Sequence, residues 1–230
     1  MKRRPLHIFL LLLTVALAAC AGEVNLLDET KLQDTSLLSG DPCEAPCWNG
    51  ITPGETTYRD AKLILGSDNR YKISDESEAE GEELGRVFSF AEGENQPCCQ
   101  MISRDGETIS SFMLQLAPQM SFGPAFDKFG EPRYIIGQAV SEEQAYAVSV
   151  YPEAPMVIYA FVAGGEQGNV SVDNKIIALS YMAPSEMQHL LTCARLHEWK
   201  GFVSLATYAG AEEFDYVGSG VGDEEICPEG

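Results

Sequence analysis

Short runs in which apolar and polar residues alternate, separated by turn residues, fill most of the chain after position 85. Alternation with a period of two is typical of strands that bury one face. The predicted strands cover 86–90, 98–103, 108–116, 133–136, 146–151, 157–162, 175–181 and 202–208. Asp105-Gly106 suits a hairpin turn between the second and third of these strands.

Three other segments carry the spacing and the end signals of helices. They cover 58–65, 121–129 and 185–199. Thr56 or Thr57 can cap the first helix, and Gly66 is a suitable C-terminal stop. Gly130 ends the second helix, and Ser185 opens a sequence like a capping box at the start of the third.

The order of a helix followed by strands occurs twice. A shift of 64 positions (121 minus 57) aligns Thr57 with Ser121, Ala61 with Ala125, Leu65 with Phe129 and Gly66 with Gly130. We therefore predict an α+β fold of two tandem helix-plus-antiparallel-meander modules with a C-terminal helix.

The domain organisation follows from these elements. We predict a signal peptide over 1–19, a lipidated flexible tether over 20–42, a first module over 43–118, a second over 119–184, and a C-terminal helix, strand and acidic tail over 185–230. The tether is predicted because its residues are polar and acidic, with no sustained period. The acidic run 75–83 is predicted as a solvated loop, since it lacks the spacing of a calcium loop.

The first twenty residues have the three parts of an export signal. Positions 2–4 are basic, and 8–19 are uncharged and mostly apolar, too short to span about 30 Å of hydrocarbon. Leu17-Ala18-Ala19-Cys20 resembles the lipobox of bacterial lipoproteins. The resemblance implies that Cys20 carries acyl chains such as palmitate and anchors the protein to the membrane. The alternative is an ordinary secreted protein with a free thiol at Cys20.

The charge of the chain limits its partners. The 15 Lys and Arg residues against 35 Asp and Glu residues give a net charge of −20. This charge disfavours binding to nucleic acid, which is itself negatively charged. A hydrophobic content of 45% argues against general disorder. We expect the lipid bilayer, through Cys20, and an envelope protein or a small neutral or cationic ligand as partners. The predicted location is the extracytoplasmic side of the cell membrane.

Six further cysteines follow Cys20. They are Cys43, Cys47, Cys98, Cys99, Cys193 and Cys227. An even number in an exported chain indicates disulfides. We favour Cys193 with Cys227, and Cys43 and Cys47 paired in some order with Cys98 and Cys99, because a bond between adjacent cysteines has poor geometry. A four-thiolate zinc site is the disfavoured alternative, since adjacent cysteines fit a tetrahedron badly, and no metal site is predicted.

Two motifs resemble known envelope proteins. The segment 46–56, PCWNGITPGET, resembles the opening PCWxGIxPGxT of a group of uncharacterised bacterial lipoproteins. The segment 122–132, which ends Phe129-Gly130-Glu131-Pro132, is similar to the helix-and-strand unit of BamE/SmpA-like lipoproteins and of the β-lactamase-inhibitor-protein fold. The resemblance implies a binding or scaffolding module that faces the cell envelope.

The sequence contains no motif for nucleophilic or metal-dependent hydrolysis. His189, Cys193 and His197 would stack on one side of the predicted C-terminal helix, where two of them could bind a metal together with Glu186 or Glu198. We prefer a structural role for these residues, and we predict no catalytic residue and no cofactor. A binding or interaction module rather than an enzyme is expected; the alternative is an anchored hydrolase that uses acidic residues with His189 or His197.

Tyrosines are frequent in the predicted elements. They are Tyr58, Tyr134, Tyr146, Tyr151, Tyr159 and Tyr181. Such positions most often belong to the core or to cross-strand pairs, and the alternative is a tyrosine-lined concave sheet that binds a ligand or a protein.

Overall fold

The protein is built around a single antiparallel β-sheet. A computed structural model describes residues 25–78 and 85–208. Its strands are β1 (Tyr71–Glu78), β2 (Arg86–Glu92), β3 (Cys99–Ser103), β4 (Ser111–Gln115), β5 (Tyr134–Ala139), β6 (Gln144–Tyr151), β7 (Met156–Ala163), β8 (Ile176–Met182) and β9 (His197–Glu198). All nine join one sheet in the order β1-β2-β3-β4-β8-β7-β6-β5-β9.

Four short helices accompany the sheet within the described residues. They are α1 (Ser36–Ser39), α2 (Tyr58–Ser67), α3 (Phe122–Phe129) and α4 (Pro184–Cys193). Thr57 caps α2, since its side chain accepts a hydrogen bond from the Asp60 amide at 3.0 Å. Gly130 follows α3 with a φ of 79°, a conformation that favours glycine. None of these helices is long and apolar enough to cross a membrane.

The predicted fold class is wrong. The sheet is continuous through the pairing of β4 with β8, which places Phe112 opposite Tyr181 and Leu114 opposite Leu179. One hydrophobic core contains Phe88 and Phe112 together with Tyr181 and other residues from the second half of the chain. Two tandem modules would each bury an apolar face alone, whereas here both halves share one core, and the sheet rather than the helices dominates the fold.

The acidic segment after α2 is an edge strand rather than a loop in its described part. Tyr71 and Ile73 of β1 lie on the side of the sheet that faces the shared core. The Glu76 carboxylate accepts a hydrogen bond from Lys62 Nζ at 2.6 Å and another from the Tyr58 hydroxyl at 3.0 Å. Both hydrogen bonds lower the pKa of Glu76, and the bond from Lys62 has the larger effect. Residues 79–83 of the predicted loop lie outside the described residues.

The C-terminal helix is shorter than predicted. It ends at Cys193, and the later residues His197–Glu198 form β9, which pairs with β5. The predicted strand 202–208 contains a 3-10 turn, Leu205–Thr207, instead. Leu205 packs against Gly137 so closely that a Cβ there would lie 2.7 Å from the leucine Cγ, which explains a glycine in the middle of β5.

The segment before Cys43 packs on the body of the protein. Leu32 and Leu37 are each 1% exposed, and Leu32 forms a β-bridge with Leu116. The Trp48 indole donates a hydrogen bond to the Asp34 carboxylate at 3.0 Å. The described part of the predicted tether is therefore anchored to the sheet rather than extended; residues 1–24, with Cys20, lie outside the described residues.

The two faces of the sheet are covered differently. The face that carries Phe88, Phe112 and Tyr181 contributes to the shared core. On the opposite face, Met187 and Leu190 of α4 cover strands β5 to β8. Within the described part of the chain no helix packs over β1 to β3 on that second face.

Candidate functional site

The disulfide pattern differs from the predicted one. Cys43 is bonded to Cys47, with their Cα atoms 5.6 Å apart, while Cys98 and Cys99 are free thiols. The predicted cross-pairing is wrong because Cys98 and Cys99 are buried at the start of β3, whereas Cys43 and Cys47 are close enough along the chain to pair locally. Cys193 is disulfide-bonded, and its predicted partner Cys227 lies outside the described residues.

The two free thiols form a contacting pair. Cys98 is 6% exposed and Cys99 is 1% exposed. The Cys99 side chain lies beside Phe90 and Leu114 in the register of β2 to β4. The Cys98 thiol donates a weak hydrogen bond to the carbonyl oxygen of Phe90 at 3.9 Å, and the Cys99 thiol donates one to the carbonyl oxygen of Gln115 at 4.0 Å. The sequence therefore places two sulfurs together inside the protein without bonding them.

The contact gives the two thiols opposite acidities. The neighbouring Cys99 side chain lowers the pKa of Cys98, and the positive charge of Lys31 acts in the same direction. Burial raises the pKa of Cys99, and the neighbouring Cys98 raises it further. When one proton leaves the pair, it therefore leaves Cys98.

A small cavity adjoins the thiol pair. Its volume is about 120 Å³. Its lining residues, none of them charged, are Ser89, Pro97, Cys98, Cys99, Gln100, Met113 and Gln115. Pockets for metabolites or drug-sized ligands measure roughly 300 to 1,000 Å³. The cavity therefore suits an ion or a molecule of a few atoms, not an organic substrate of ordinary size.

The cavity borders an uncovered region of the sheet, which we name the open face. It consists of Val87, Ser89, Gln100, Ile102 and Met113. The strand register places Ser89, Gln100 and Met113 side by side, and Val87 opposite Ile102. Gln100 is exposed, the other four are partly exposed, and none carries a charge. Met113 lies at the boundary of the open face, since it also packs against the cluster beneath α4. These five residues carry no charge on a chain whose net charge is −20.

The histidines do not form the arrangement that the sequence predicted. His189 lies exposed on α4, with its Nδ1 3.5 Å from the Cys193 sulfur. His197 lies beyond the end of the helix, in β9, so the three residues do not share one helix face. Glu186, a predicted third ligand, binds Arg104 at 2.7 Å instead. Across the described ranges, no group of three or more His, Cys, Asp or Glu residues could hold a metal ion.

The tyrosines belong to the core rather than to a binding surface. Tyr58, Tyr151, Tyr159 and Tyr181 are at most 6% exposed. Tyr134 and Tyr146 are partly buried against the cluster beneath α4. The alternative of a tyrosine-lined concave sheet is therefore wrong, and the open face that sequence reasoning missed contains no tyrosine. The signal that could have found it is the set of polar residues, such as Ser89 and Gln100, that alternate with buried residues in β2 and β3.

Comparison of the chain with protein-family models, with curated proteins and with solved structures finds no significant match. The resemblance of 46–56 and 122–132 to envelope lipoproteins stays a prediction.

Proposed function

We propose that this protein is a membrane-anchored, extracytoplasmic lipoprotein that acts as a binding module of the cell envelope. In this proposal Cys20 carries the lipid anchor, and the open face binds a protein partner. The observation that carries the proposal is the uncharged, partly exposed open face on a strongly acidic chain.

The sequence before the described residues supports the anchor. Positions 2–4 are basic, 8–19 are apolar, and the lipobox-like Leu17-Ala18-Ala19-Cys20 follows. A disulfide such as Cys43–Cys47 is typical of proteins in oxidising compartments outside the cytoplasm. Two or three acyl chains bind a bilayer stably where one chain gives only marginal binding.

The composition of the open face supports a protein as the partner. The centres of protein–protein interfaces are depleted of charged residues and enriched in methionine. Val87, Ile102 and Met113 provide apolar contacts, while Ser89 and Gln100 provide hydrogen-bonding groups. The adjoining cavity, at about 120 Å³, is too small for a typical organic ligand. Nucleic acid is disfavoured by the net charge of −20.

Site-specific photo-cross-linking in intact envelopes tests the open face. A photoreactive residue at Gln100 should give a discrete adduct with a protein. The same probe at Leu63, which is 59% exposed on α2 and lies away from the open face, serves as the matched control. Adducts of equal yield from both positions, or none from Gln100, would contradict binding at the open face.

The anchor is tested separately with Cys20→Ala. Mass spectrometry of the natural protein should show acyl chains on Cys20 as the first residue, and the variant should leave the membrane fraction. An unmodified Cys20 thiol, or a variant that remains in the membrane fraction, would contradict the anchor and leave the test of the open face intact.

A further inference from the structure

We propose that the C-terminal segment 209–230 docks on an exposed cluster of aromatic side chains and is held there by a disulfide between Cys193 and Cys227. We name this cluster the aromatic surface. It consists of Phe122, Phe126, Trp199 and Phe202. The inference goes beyond the proposed function, and only one step, the exclusion of Cys20 as the disulfide partner, rests on the lipid anchor.

The aromatic surface leaves apolar side chains in contact with solvent. The centroid of the Phe202 ring lies 5.1 Å from that of Phe126 and 5.3 Å from that of Trp199. Phe202 is 40% exposed, whereas every other phenylalanine, tyrosine and tryptophan in the described part of the chain is buried or partly buried. Val172, which is 44% exposed, adjoins the cluster, since its carbonyl oxygen accepts a hydrogen bond from the Gly123 amide of α3 at 2.8 Å. Contiguous exposed apolar side chains mark an interaction surface.

The segment 209–230 begins beside this surface. Tyr208, the residue before it, is buried, and its ring stacks on Trp199 with 6.1 Å between the ring centroids. An extended chain spans up to about 3.3 to 3.6 Å per residue. Phe214 and Tyr216 follow Tyr208 by six and eight residues (214 and 216 minus 208), so both can reach the aromatic surface. These two rings provide the apolar contacts for docking.

A disulfide holds the far end of the segment. Cys193 is disulfide-bonded, and the other four cysteines that the structure describes are either bonded to each other or free thiols. The partner of Cys193 is therefore one of the two remaining cysteines, Cys20 or Cys227. Under the proposed function the sulfur of Cys20 carries the lipid, so the partner is Cys227. The segment is then attached to the body of the protein at both ends, at Tyr208 and at Cys193.

The charges of the segment and of the surface are complementary. The segment contains seven Asp and Glu residues and no Lys or Arg. Arg133 and Lys200 lie beside the aromatic surface, because the Trp199 amide donates a hydrogen bond to the Arg133 carbonyl oxygen at 3.2 Å and Lys200 is the next residue. The ion pair of Arg133 with Glu153 is long, at 3.9 Å, and exposed, so it leaves the guanidinium available to the segment. A second copy of the chain is disfavoured as the occupant, since two chains of charge −20 repel each other.

Photo-cross-linking in the isolated full-length chain tests the docking. A photoreactive residue at position 202 should give an intramolecular adduct with a peptide from 209–226, identified by mass spectrometry. The same probe at Leu63, which is 59% exposed on α2, is the matched control and should give no such adduct. Adducts from position 202 that join two chains, or no adduct with the segment, would overturn the proposal.

Two variants separate the contributions to docking. Phe214→Ser with Tyr216→Ser removes the apolar contacts and keeps the disulfide, so the yield of the adduct should fall severalfold. Cys227→Ser should lower the yield less, because the segment remains tethered at Tyr208 and its effective concentration stays high. High salt should also lower the yield, since it screens the carboxylates of the segment from Arg133 and Lys200. An unchanged yield in the double serine variant would contradict docking on the aromatic surface.

Disulfide mapping of the unreduced natural protein tests the attachment. Mass spectrometry should find the peptide of Cys193 bonded to that of Cys227. A bond from Cys193 to Cys20 would overturn both this proposal and the lipid anchor. Acyl chains on Cys20 without a bond between Cys193 and Cys227 would overturn this proposal alone and leave the proposed function intact.

Discussion

The two halves of one sheet face differ in what covers them. Over β5 to β8, Val148, Val157 and Tyr159 are buried beneath α4. Over β2 and β3, Ser89 and Gln100 occupy the same face without a helix above them. Strands that are buried on both faces have continuous runs of apolar residues, whereas in strands with one solvent-exposed face apolar and polar residues alternate. Helix α4 therefore covers the apolar half of this face, over β5 to β8, and leaves the more polar half, over β2 and β3, accessible to a partner.

The shared core is expected to give the largest effect on stability. Phe112 is 1% exposed, and its ring packs edge-on against Tyr181 at 5.3 Å across the β4–β8 pairing. Phe112→Ala should lower the free energy of unfolding by about 3 to 5 kcal/mol, with one cooperative transition in urea. Phe202→Ala, at a ring that is 40% exposed, should lower it by less. Two separate transitions would show that the halves do not share one core.

Truncation of a buried side chain of α4 should have the next largest effect on stability. Leu190 is 3% exposed against the cluster under this helix. Leu190→Ala should lower the free energy of unfolding by about 2 to 3 kcal/mol, and hydrogen exchange should accelerate in β6 and β7 but not in β2. The matched control is Leu63→Ala at a site that is 59% exposed, where we expect almost no change. Equal losses in the two variants would mean that α4 does not protect this half of the face.

Loss of the ion pair between Arg104 and Glu186, at the start of α4, should have a smaller effect on stability. Arg104 Nε donates to the Glu186 carboxylate at 2.7 Å, and the Arg104 side chain is 42% exposed. Pairs near solvent contribute about 0 to 1 kcal/mol. Glu186→Gln should therefore lower the free energy of unfolding by less than about 1 kcal/mol, and the loss should shrink in high salt. A loss comparable to that of Leu190→Ala would show that charge rather than packing holds the helix.

The open face should show the smallest effect on stability. Gln100→Ala should change the free energy of unfolding by no more than about 0.5 kcal/mol, because its side chain is exposed and no core contact is lost. Under the proposed function the same variant should weaken binding of the protein partner to the open face. A measurable loss of stability without weaker binding would assign Gln100 a structural role instead.

The sequence predicted local features better than long-range ones. Thr57 caps α2 as expected, and the Asp105 carboxylate accepts hydrogen bonds from the amides of Glu107 and Thr108 in the predicted turn. These features depend on neighbours within a few residues. The pairing of Phe112 with Tyr181 joins residues 69 positions apart (181 minus 112), and nothing in either local pattern specifies it.

The candidate site depended on the same long-range information. The six cysteines allow many pairings, and the local Cys43–Cys47 bond leaves Cys98 and Cys99 as thiols. The cavity exists only because β2, β3 and β4 bring Ser89, Gln100 and Met113 together. Counting cysteines indicated which residues matter, but only the folded sheet shows which of them remain free.

Hydroxyl-radical footprinting of one protein in two settings tests the binding role of the open face most directly. Met113 reports on the open face, Met187 on the covered half, and Leu63 on solvent in general. In the isolated chain Met113 should be labelled much faster than Met187. In intact envelopes Met113 should become protected, while Leu63 keeps its rate. Labelling of Met113 as slow as that of Met187 in the isolated chain, or unchanged in envelopes, would contradict the account.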